Sequence, residues 1–254
     1  MKTGILFLLF LLVPNILSAQ PAVISIILDD MGGRLEAGRR ALNLPGPVAC
    51  AFLPSAAYTK KLAKEAYANN KEVMLHLPMQ PMQPRPLDEG GLTMEMRESE
   101  FLQVLREDIA NVPHVIGVNN HMGSLLTQHP GHMQWLMKEL NQQQPLFFID
   151  SRTTHSSVAY NIALENHIPS AKRDVFLDDD RDIEQIEKQF DRLLRVAKKY
   201  GYAIAIGHPY PETMSVLEKR LSQLDEDIKL IPVSRILSVV DKGEKKKWRA
   251  SLSR

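Results

Sequence analysis

The chain has 254 residues, and its 31 lysines and arginines nearly balance its 30 aspartates and glutamates, which gives a formal net charge of +1. This balance provides no electrostatic reason to expect nucleic acid as a partner. Cys50 is the only cysteine, so a disulfide framework within the chain is excluded.

The N-terminal segment has the pattern of a secretory signal peptide. A basic start is followed by an apolar run over residues 4–12, and small residues precede Gln20. This run is too short for a durable membrane span, although a retained N-terminal anchor is the alternative. We therefore predict a signal peptide over residues 1–19, one domain over residues 20–240 and a basic tail over residues 241–254, in a protein that is periplasmic or secreted.

Strand and helix patterns alternate along the rest of the chain. Runs of β-branched and aliphatic residues predict buried parallel strands, and amphipathic stretches predict helices between them. The predicted strands cover residues 23–28, 48–53, 72–75, 115–118, 146–149, 175–177, 203–206 and 230–233. The predicted helices cover residues 35–44, 58–69, 99–110, 132–141, 158–166, 183–200 and 214–224. This alternation predicts one α/β domain with a mainly parallel sheet, arranged as a barrel.

Three other segments have structural interpretations. Residues 79–94 are rich in proline and have no period, which predicts a long loop over the carboxyl edge of the sheet. Cys50 lies within an apolar run and is predicted to be a core residue. The run Asp178-Asp179-Asp180 lacks EF-hand spacing and is interpreted as N-capping of the helix that begins at Ile183.

Side chains that can do chemistry follow the predicted strands. They are, in chain order, Asp29, Asp30, His76, Asn120, His121, Asp150, Arg152 and His208. Because the carboxyl ends of parallel strands converge on one face of a barrel, we expect these side chains to lie close together. Each has a simpler interpretation, since an aspartate can cap a helix and a histidine can be a hydrogen-bonded core residue. The recurrence at five strands favours a shared site.

A carboxylate with two imidazoles can bind a divalent transition metal such as zinc and leave a position open for water. Asp29 and Asp30 supply one metal ligand and one general base. His76 and His121 are candidate ligands, and His208 is a candidate acid. Neither HExxH nor CxxC spacing is present, so the metal prediction rests on position in the predicted sheet.

Five segments together resemble the divergent polysaccharide deacetylase family and occur in that family's order. They are Ile27-Leu28-Asp29-Asp30-Met31-Gly32, His76-Leu77-Pro78-Met79, Gly117-Val118-Asn119-Asn120-His121-Met122-Gly123-Ser124, Phe148-Ile149-Asp150-Ser151-Arg152-Thr153 and Ala205-Ile206-Gly207-His208-Pro209. The resemblance implies a single-domain distorted (β/α) barrel of the polysaccharide deacetylase type. It also implies a metal-dependent carbohydrate esterase that removes acetyl groups from chitin-like or cell-wall glycans.

The resemblance implies roles for four residues: Asp29 as the general base, Asp30 and His76 as metal ligands and His208 as the acid. Two features depart from the family pattern. Gln80 stands four residues after His76, where the family has its second ligand histidine. The Asn-Asn-His-Met-Gly-Ser stretch also replaces an Arg-Pro-Pro-Tyr-Gly-type motif, and we infer that its histidine, His121, replaces the lost ligand.

Four further residues are expected to bind substrate, namely Asn119, Asn120, Asp150 and Arg152. Arg152 can either orient the base or bind an anionic part of the substrate.

Together these features predict an exported hydrolase that uses a divalent metal, such as zinc, to deacetylate an acetylated polysaccharide or a peptidoglycan-type glycan of the cell envelope. The alternative is a catalytically weak envelope protein that binds glycan or cell wall and retains the barrel and the metal site. Gln80 favours this alternative, whereas the retained Asp29, Asp30 and His208 favour the enzyme. A metal-dependent hydrolase of another ester or a phosphoester is a third interpretation.

Overall fold

A computed structural model describes residues 21–143 and 146–241. The predicted signal peptide and the predicted tail after Asp241 lie outside these residues. Within the described part of the chain, no helix has the length and the apolar character needed to cross a membrane.

Strands and helices alternate along the described chain. The strands are β1 (Ala22–Met31), β2 (Ala49–Phe52), β3 (Val73–Met79), β4 (Val115–Met122), β5 (Phe147–Asp150), β6 (Ser170–Lys172), β7 (Val175–Phe176), β8 (Tyr202–Gly207) and β9 (Ile228–Leu230). The helices are α1 (Leu35–Leu42), α2 (Thr59–Ala68), α3 (Glu98–Asn111), α4 (Pro130–Gln143), α5 (Ala159–Glu165), α6 (Ile183–Tyr200) and α7 (Pro211–Leu221). Residues 233–241 are also helical.

The strands form one parallel sheet that curls into a distorted barrel. Their order is β6-β5-β4-β3-β2-β1-β8-β7, and β9 also pairs with β1. The two edge strands are joined by Arg173 and Asp174 alone, whose N–H groups donate to the carbonyls of Asp150 on β5 and Ile204 on β8. The ends of the sheet therefore approach each other, which confirms the predicted α/β class and single-domain distorted barrel.

The core lies on both faces of the sheet, which explains why the strands are apolar without a clear alternation. On β1, Ile24, Ile26 and Leu28 pack in the larger cluster with the helices. Ile27, between them in sequence, belongs to a second cluster with Ile204 and Ile206 of β8 and with residues from the helical segment 233–241. Cys50 on β2 is buried, as predicted, and burial raises the pKa of its thiol to about 12.

The predicted strand over residues 230–233 is wrong for Val233. β9 ends at Leu230, and Val233 begins the final helical segment. The carboxylate of Glu72 accepts the backbone N–H groups of Val233 and Ser234, which stabilises the start of this segment. The apolar pattern at this point fits either conformation, and the cap that decides between them comes from a distant part of the chain.

Two other expectations also need correction. β6 is not predicted because it has only three residues and no apolar run. The N-cap of α6 is Asp182, whose side chain accepts the N–H of Gln185 at 3.1 Å, rather than the preceding Asp178-Asp179-Asp180 run. Asp178 is buried and contacts His208 instead.

Candidate active site

Two adjacent carboxylates end the central strand β1 and face the same histidine. Oδ2 of Asp29 lies 3.5 Å from Nε2 of His76, and Oδ1 of Asp30 lies 3.4 Å from the same nitrogen. Neighbouring side chains on a regular strand point to opposite faces. Here the backbone of Asp30 adopts a left-handed conformation, with φ of 53°, which allows both carboxylates to reach one site. Such a conformation is uncommon for a residue other than glycine and is typical of functional sites.

Asp30, His76 and His121 form a cluster with the composition of a metal site. Each offers one ligand atom, and these atoms all lie within 4.8 Å of one another. Nδ1 of His121 lies 3.1 Å from both Nε2 of His76 and Oδ1 of Asp30. That buried oxygen accepts no hydrogen bond with proper geometry from the described residues. The cluster therefore brings a carboxylate oxygen and two imidazole nitrogens to a common centre.

The far nitrogen of each imidazole is held by an acceptor. Nδ1 of His76 donates to Oδ1 of Asn119 at 3.0 Å, and the amide group of Asn119 donates to Oδ1 of Asp29 at 2.8 Å. Nε2 of His121 lies 3.1 Å from Oδ2 of Asp88. In the neutral form of each ring, these contacts select the tautomer in which Nε2 of His76 or Nδ1 of His121 faces the cluster with a lone pair.

The charges in the cluster shift the pKa values of its members. Burial works to lower the pKa of His76, but Asp29 and Asp30 outweigh it and raise the pKa to about 9. Burial works to raise the pKa of Asp30, but the His121 and His76 rings outweigh it and hold this pKa well below its usual range. Without a metal, His76 is therefore protonated at neutral pH, and a metal ion would have to displace its proton.

His208 approaches the cluster from the end of β8. Its Nδ1 atom donates to Oδ1 of Asp178 at 2.9 Å, and its Nε2 atom lies 3.7 Å from Oδ2 of Asp30. The other oxygen of Asp178 accepts the backbone N–H of His208 and the hydroxyl of Thr213. Burial works to lower the pKa of His208, but the hydrogen bond to Asp178 and the charge of that carboxylate raise it overall.

Asp29 is the most enclosed carboxylate of the cluster. It is 3% exposed, and burial raises its pKa despite the opposing charges of His76 and His208. A carboxylate with a raised pKa accepts protons more readily than one in water. Asp29 and His208 thus offer a base and an acid on either side of Asp30.

The other predicted site residues are mostly engaged with the protein itself. Asn119 links His76 to Asp29, and Oδ1 of Asn120 accepts the N–H of Ser151 at 2.9 Å. The two oxygens of Asp150 accept the N–H of Arg152 and the hydroxyl of Ser157. These contacts position loops at the carboxyl edge. Arg152 lines a separate cavity, and substrate binding by the four residues stays a prediction.

Gln80 anchors the loop of residues 80–97 between β3 and α3. Its Oε1 atom accepts the N–H of Met94 at 2.8 Å, and its carbonyl accepts the N–H groups of Leu125 and Leu126. The same loop carries Asp88, which contacts His121. Gln80 therefore holds the loop whose Asp88 contacts His121.

A cavity of about 490 Å³ adjoins the cluster at Asp30. Its lining includes Gly32, Gly33, Arg34 and Tyr210. Tyr210 stacks on the ring of His208, with 5.0 Å between their centroids. The cavity therefore opens onto Asp30 and has in its wall the tyrosine that stacks on His208.

Comparisons with known proteins agree on one family and one fold. A family model described as divergent polysaccharide deacetylase matches residues 26–237. The uncharacterized protein YibQ of Escherichia coli is 36% identical over 215 residues, which cover 85% of this chain and 67% of that protein. The crystal structure of an uncharacterized Agrobacterium tumefaciens protein has a TM-score of 0.81 at 21% identity, over 86% of this chain and 90% of that chain. The structure of the peptidoglycan deacetylase PdaC from Bacillus subtilis has a TM-score of 0.50 at 14% identity, over 91% of this chain and 97% of that chain.

Proposed function

The chain belongs to the divergent polysaccharide deacetylase family, and from that premise we propose that it is an exported, metal-dependent hydrolase that removes acetyl groups from a cell-envelope glycan. One observation carries the proposal: Asp30, His76 and His121 converge beside Asp29 and His208. Membership of the family supports a carbohydrate substrate by analogy, whereas the converging side chains support metal-dependent hydrolysis.

Asp30, His76 and His121 would hold the divalent metal, for which we propose zinc. The unsatisfied buried oxygen of Asp30 and the two facing imidazole nitrogens suit such an ion, since no other donor among the described residues fills the centre between them. Two imidazoles and one carboxylate leave a catalytic zinc with an open position. When bound there, the ion acts as a Lewis acid toward the acetyl carbonyl and makes water more acidic.

Asp29 and His208 would move the protons of the reaction. Asp29 takes a proton from the attacking water as the water oxygen bonds to the acetyl carbon. His208 gives its Nε2 proton to the amine nitrogen as the carbon–nitrogen bond breaks, so acetate and a free amine leave. Burial favours proton uptake by Asp29, and the charge of Asp178 favours the protonated form of His208 before the carbon–nitrogen bond breaks.

The cavity beside Asp30 would receive the sugar that carries the acetyl group. Its lining includes Gly32 and Gly33, which have no side chains, and the aromatic residue Tyr210. The signal-peptide pattern of the first 19 residues supports export, which would deliver the protein to its glycan.

Metal content and acetate release test the proposal together. Zinc-treated protein should hold about one ion per chain, Asp30→Ala should hold none, and Glu100→Ala, which changes an exposed carboxylate on α3, should match the wild type. The wild type should release acetate from N-acetylglucosamine oligomers or from peptidoglycan. If the wild type binds no zinc, the proposed mechanism is wrong. If the zinc-loaded wild type binds these glycans but releases no acetate, the protein is instead a glycan-binding protein.

A further inference from the structure

A second cavity, of about 560 Å³, opens on the carboxyl side of the sheet, and its lining includes four cations. We propose that it binds a carboxylate of the glycan, on the sugar next to the one that is deacetylated. This inference rests on the proposed function and adds the charge of the substrate to it. We call this space the basic cavity; its charged lining residues are Arg152, Lys172, Arg173, Arg192, Asp174 and Asp179.

Several elements bring positive charge to the basic cavity. Arg152 follows β5, Lys172 ends β6, and Arg192 projects from α6. Four cations face two carboxylates, and one of these, Asp174, accepts the backbone N–H of Ile204 at 2.8 Å. The lining therefore carries a net positive charge, which attracts an anion.

Two backbone carbonyl groups hold the guanidinium of Arg173 in the basic cavity. Its Nε atom donates to the carbonyl of Ser151 at 2.6 Å, and its Nη2 atom donates to the carbonyl of Arg152 at 3.0 Å. Within residues 21–143 and 146–241, no carboxylate lies at ion-pair distance from Arg173, and the charges of Asp29, Asp150 and Asp179 act on it from farther away. A partly buried guanidinium that is held by carbonyl oxygens keeps its charge available, and a carboxylate would offset the cost of its burial.

The backbone of Arg152 supports a functional role. This residue has a φ of 52°, a left-handed conformation that is uncommon for arginine. A carboxylate oxygen of Asp150 accepts its N–H at 2.8 Å, and Arg173 donates to its carbonyl. Contacts on both sides thus hold a strained backbone at the rim of the cavity, which is a feature of ligand-binding positions.

One aromatic ring separates the basic cavity from the proposed acid. The Phe176 ring lies 5.6 Å from the ring of His208, and the guanidinium of Arg173 lies 4.7 Å from the same Phe176 ring. Phe176 also lines the cavity. A glycan with one sugar beside His208 would therefore reach the basic cavity with a substituent of the neighbouring sugar.

Calorimetric titration of the zinc-loaded protein with matched probes tests this inference. The probes are a tetramer of N-acetylglucosamine, a tetramer in which every second sugar carries a lactyl carboxylate, and inorganic phosphate. The variants are Arg152→Gln and Arg192→Gln. Arg195→Gln is the matched control, because it removes an exposed charge from the same helix as Arg192 without lining the cavity. Zinc content and thermal unfolding are measured for all four proteins.

We expect the wild type to bind the carboxylated tetramer about tenfold more tightly than the neutral one. Both cavity variants should lose this preference, whereas Arg195→Gln should keep it. Equal binding of the two tetramers, or a preference that survives in both cavity variants, overturns the inference. Arginine-dependent binding of phosphate without a preference between the tetramers overturns it as well, because the cavity would then take a free anion.

Acetate release from the same samples separates this inference from the proposed function. If neither tetramer releases acetate, the hydrolase proposal fails, while the charge preference is still read from binding alone.

Discussion

Nε2 of His121 lies 3.1 Å from Oδ2 of Asp88, and this contact ties a candidate metal ligand to the loop of residues 80–97. Because the carboxylate occupies Nε2, the Nδ1 atom of His121 is left to face Asp30 and His76. A carboxylate behind a ligand histidine fixes the ring and makes its free nitrogen more basic. Asp88 thus orients a proposed metal ligand without being a proposed ligand itself.

Asp88→Asn should weaken zinc binding about tenfold, because the amide holds the His121 ring with less charge than the carboxylate does. The loss is expected near the low end for such residues, since the Asp88 side chain is 50% exposed. Competition with a chelator of known affinity measures the change. Glu89→Gln is the control, because it removes the adjacent charge in the same loop without touching His121. Equal zinc affinity in the Asp88 variant and the control would show that the contact has no role in metal binding.

Zinc binding should release a proton at neutral pH, because His76 has its pKa raised to about 9 and must lose its proton to become a ligand. The apparent affinity should therefore rise about tenfold per pH unit between roughly pH 6 and pH 8. Calorimetry at pH 7 in buffers with different ionisation enthalpies counts the released protons. A binding heat that is the same in all buffers would contradict the protonated state of His76.

Asp178→Asn should move the alkaline limb of kcat/KM to lower pH. The carboxylate of Asp178 raises the pKa of His208, so its removal lowers that pKa, and the acid form of His208 is lost at a lower pH. Asp180→Asn is the matched control, because it changes a nearby exposed carboxylate that lines neither cavity and makes no contact with His208 in the described structure. An alkaline limb that stays in place in the Asp178 variant would remove His208 as the acid.

The sequence predicts well those features that depend on strand ends. Asp30 and His121 stand near the carboxyl ends of β1 and β4, where a parallel sheet brings side chains together. The sequence predicts His76 just after its strand, but His76 lies in the middle of β3, which extends to Met79, and the parallel pairing of β3 with β4 brings it beside His121. Helix α6 occupies residues 183–200, as predicted, because its apolar stripe has a clear period and Gly201 ends it.

The sequence predicts poorly those features that depend on contacts between distant segments. Asp88 lies in a loop without periodicity, and its partner His121 is more than thirty positions away. Asp178 has the same local pattern as a helix cap, and only the approach of β8 makes it a partner of His208. Glu72 accepts the N–H of Val233 although the two residues are 161 positions apart in sequence, and this contact stabilises the helical conformation of Val233.

Asp108 is a buried carboxylate that lies beneath the loop of Asp88. It lies in α3, is 2% exposed, and its Oδ2 atom has no hydrogen-bond partner among the described residues. Gly90 passes directly over it with a φ of 85°, and a Cβ atom on Gly90 would lie 2.3 Å from Oδ1 of Asp108. Burial, followed by the charges of Glu107 and Glu89, raises the pKa of Asp108 to about 8.

Asp108→Asn should stabilise the protein at pH 8 and have little effect at pH 4. The folded protein binds the Asp108 proton more tightly than the unfolded chain does, so this group's contribution to the free energy of unfolding is complete below about pH 4 and is lost as pH rises to about 8. The asparagine is neutral throughout and avoids that loss, which is on the order of 2 to 5 kcal/mol. Denaturant unfolding from pH 4 to pH 8 measures the difference, with Glu100→Gln as an exposed carboxylate control on the same helix. Parallel pH curves for the wild type and the Asp108 variant would mean that the buried carboxylate finds a proton donor or water that keeps its pKa near the ordinary value.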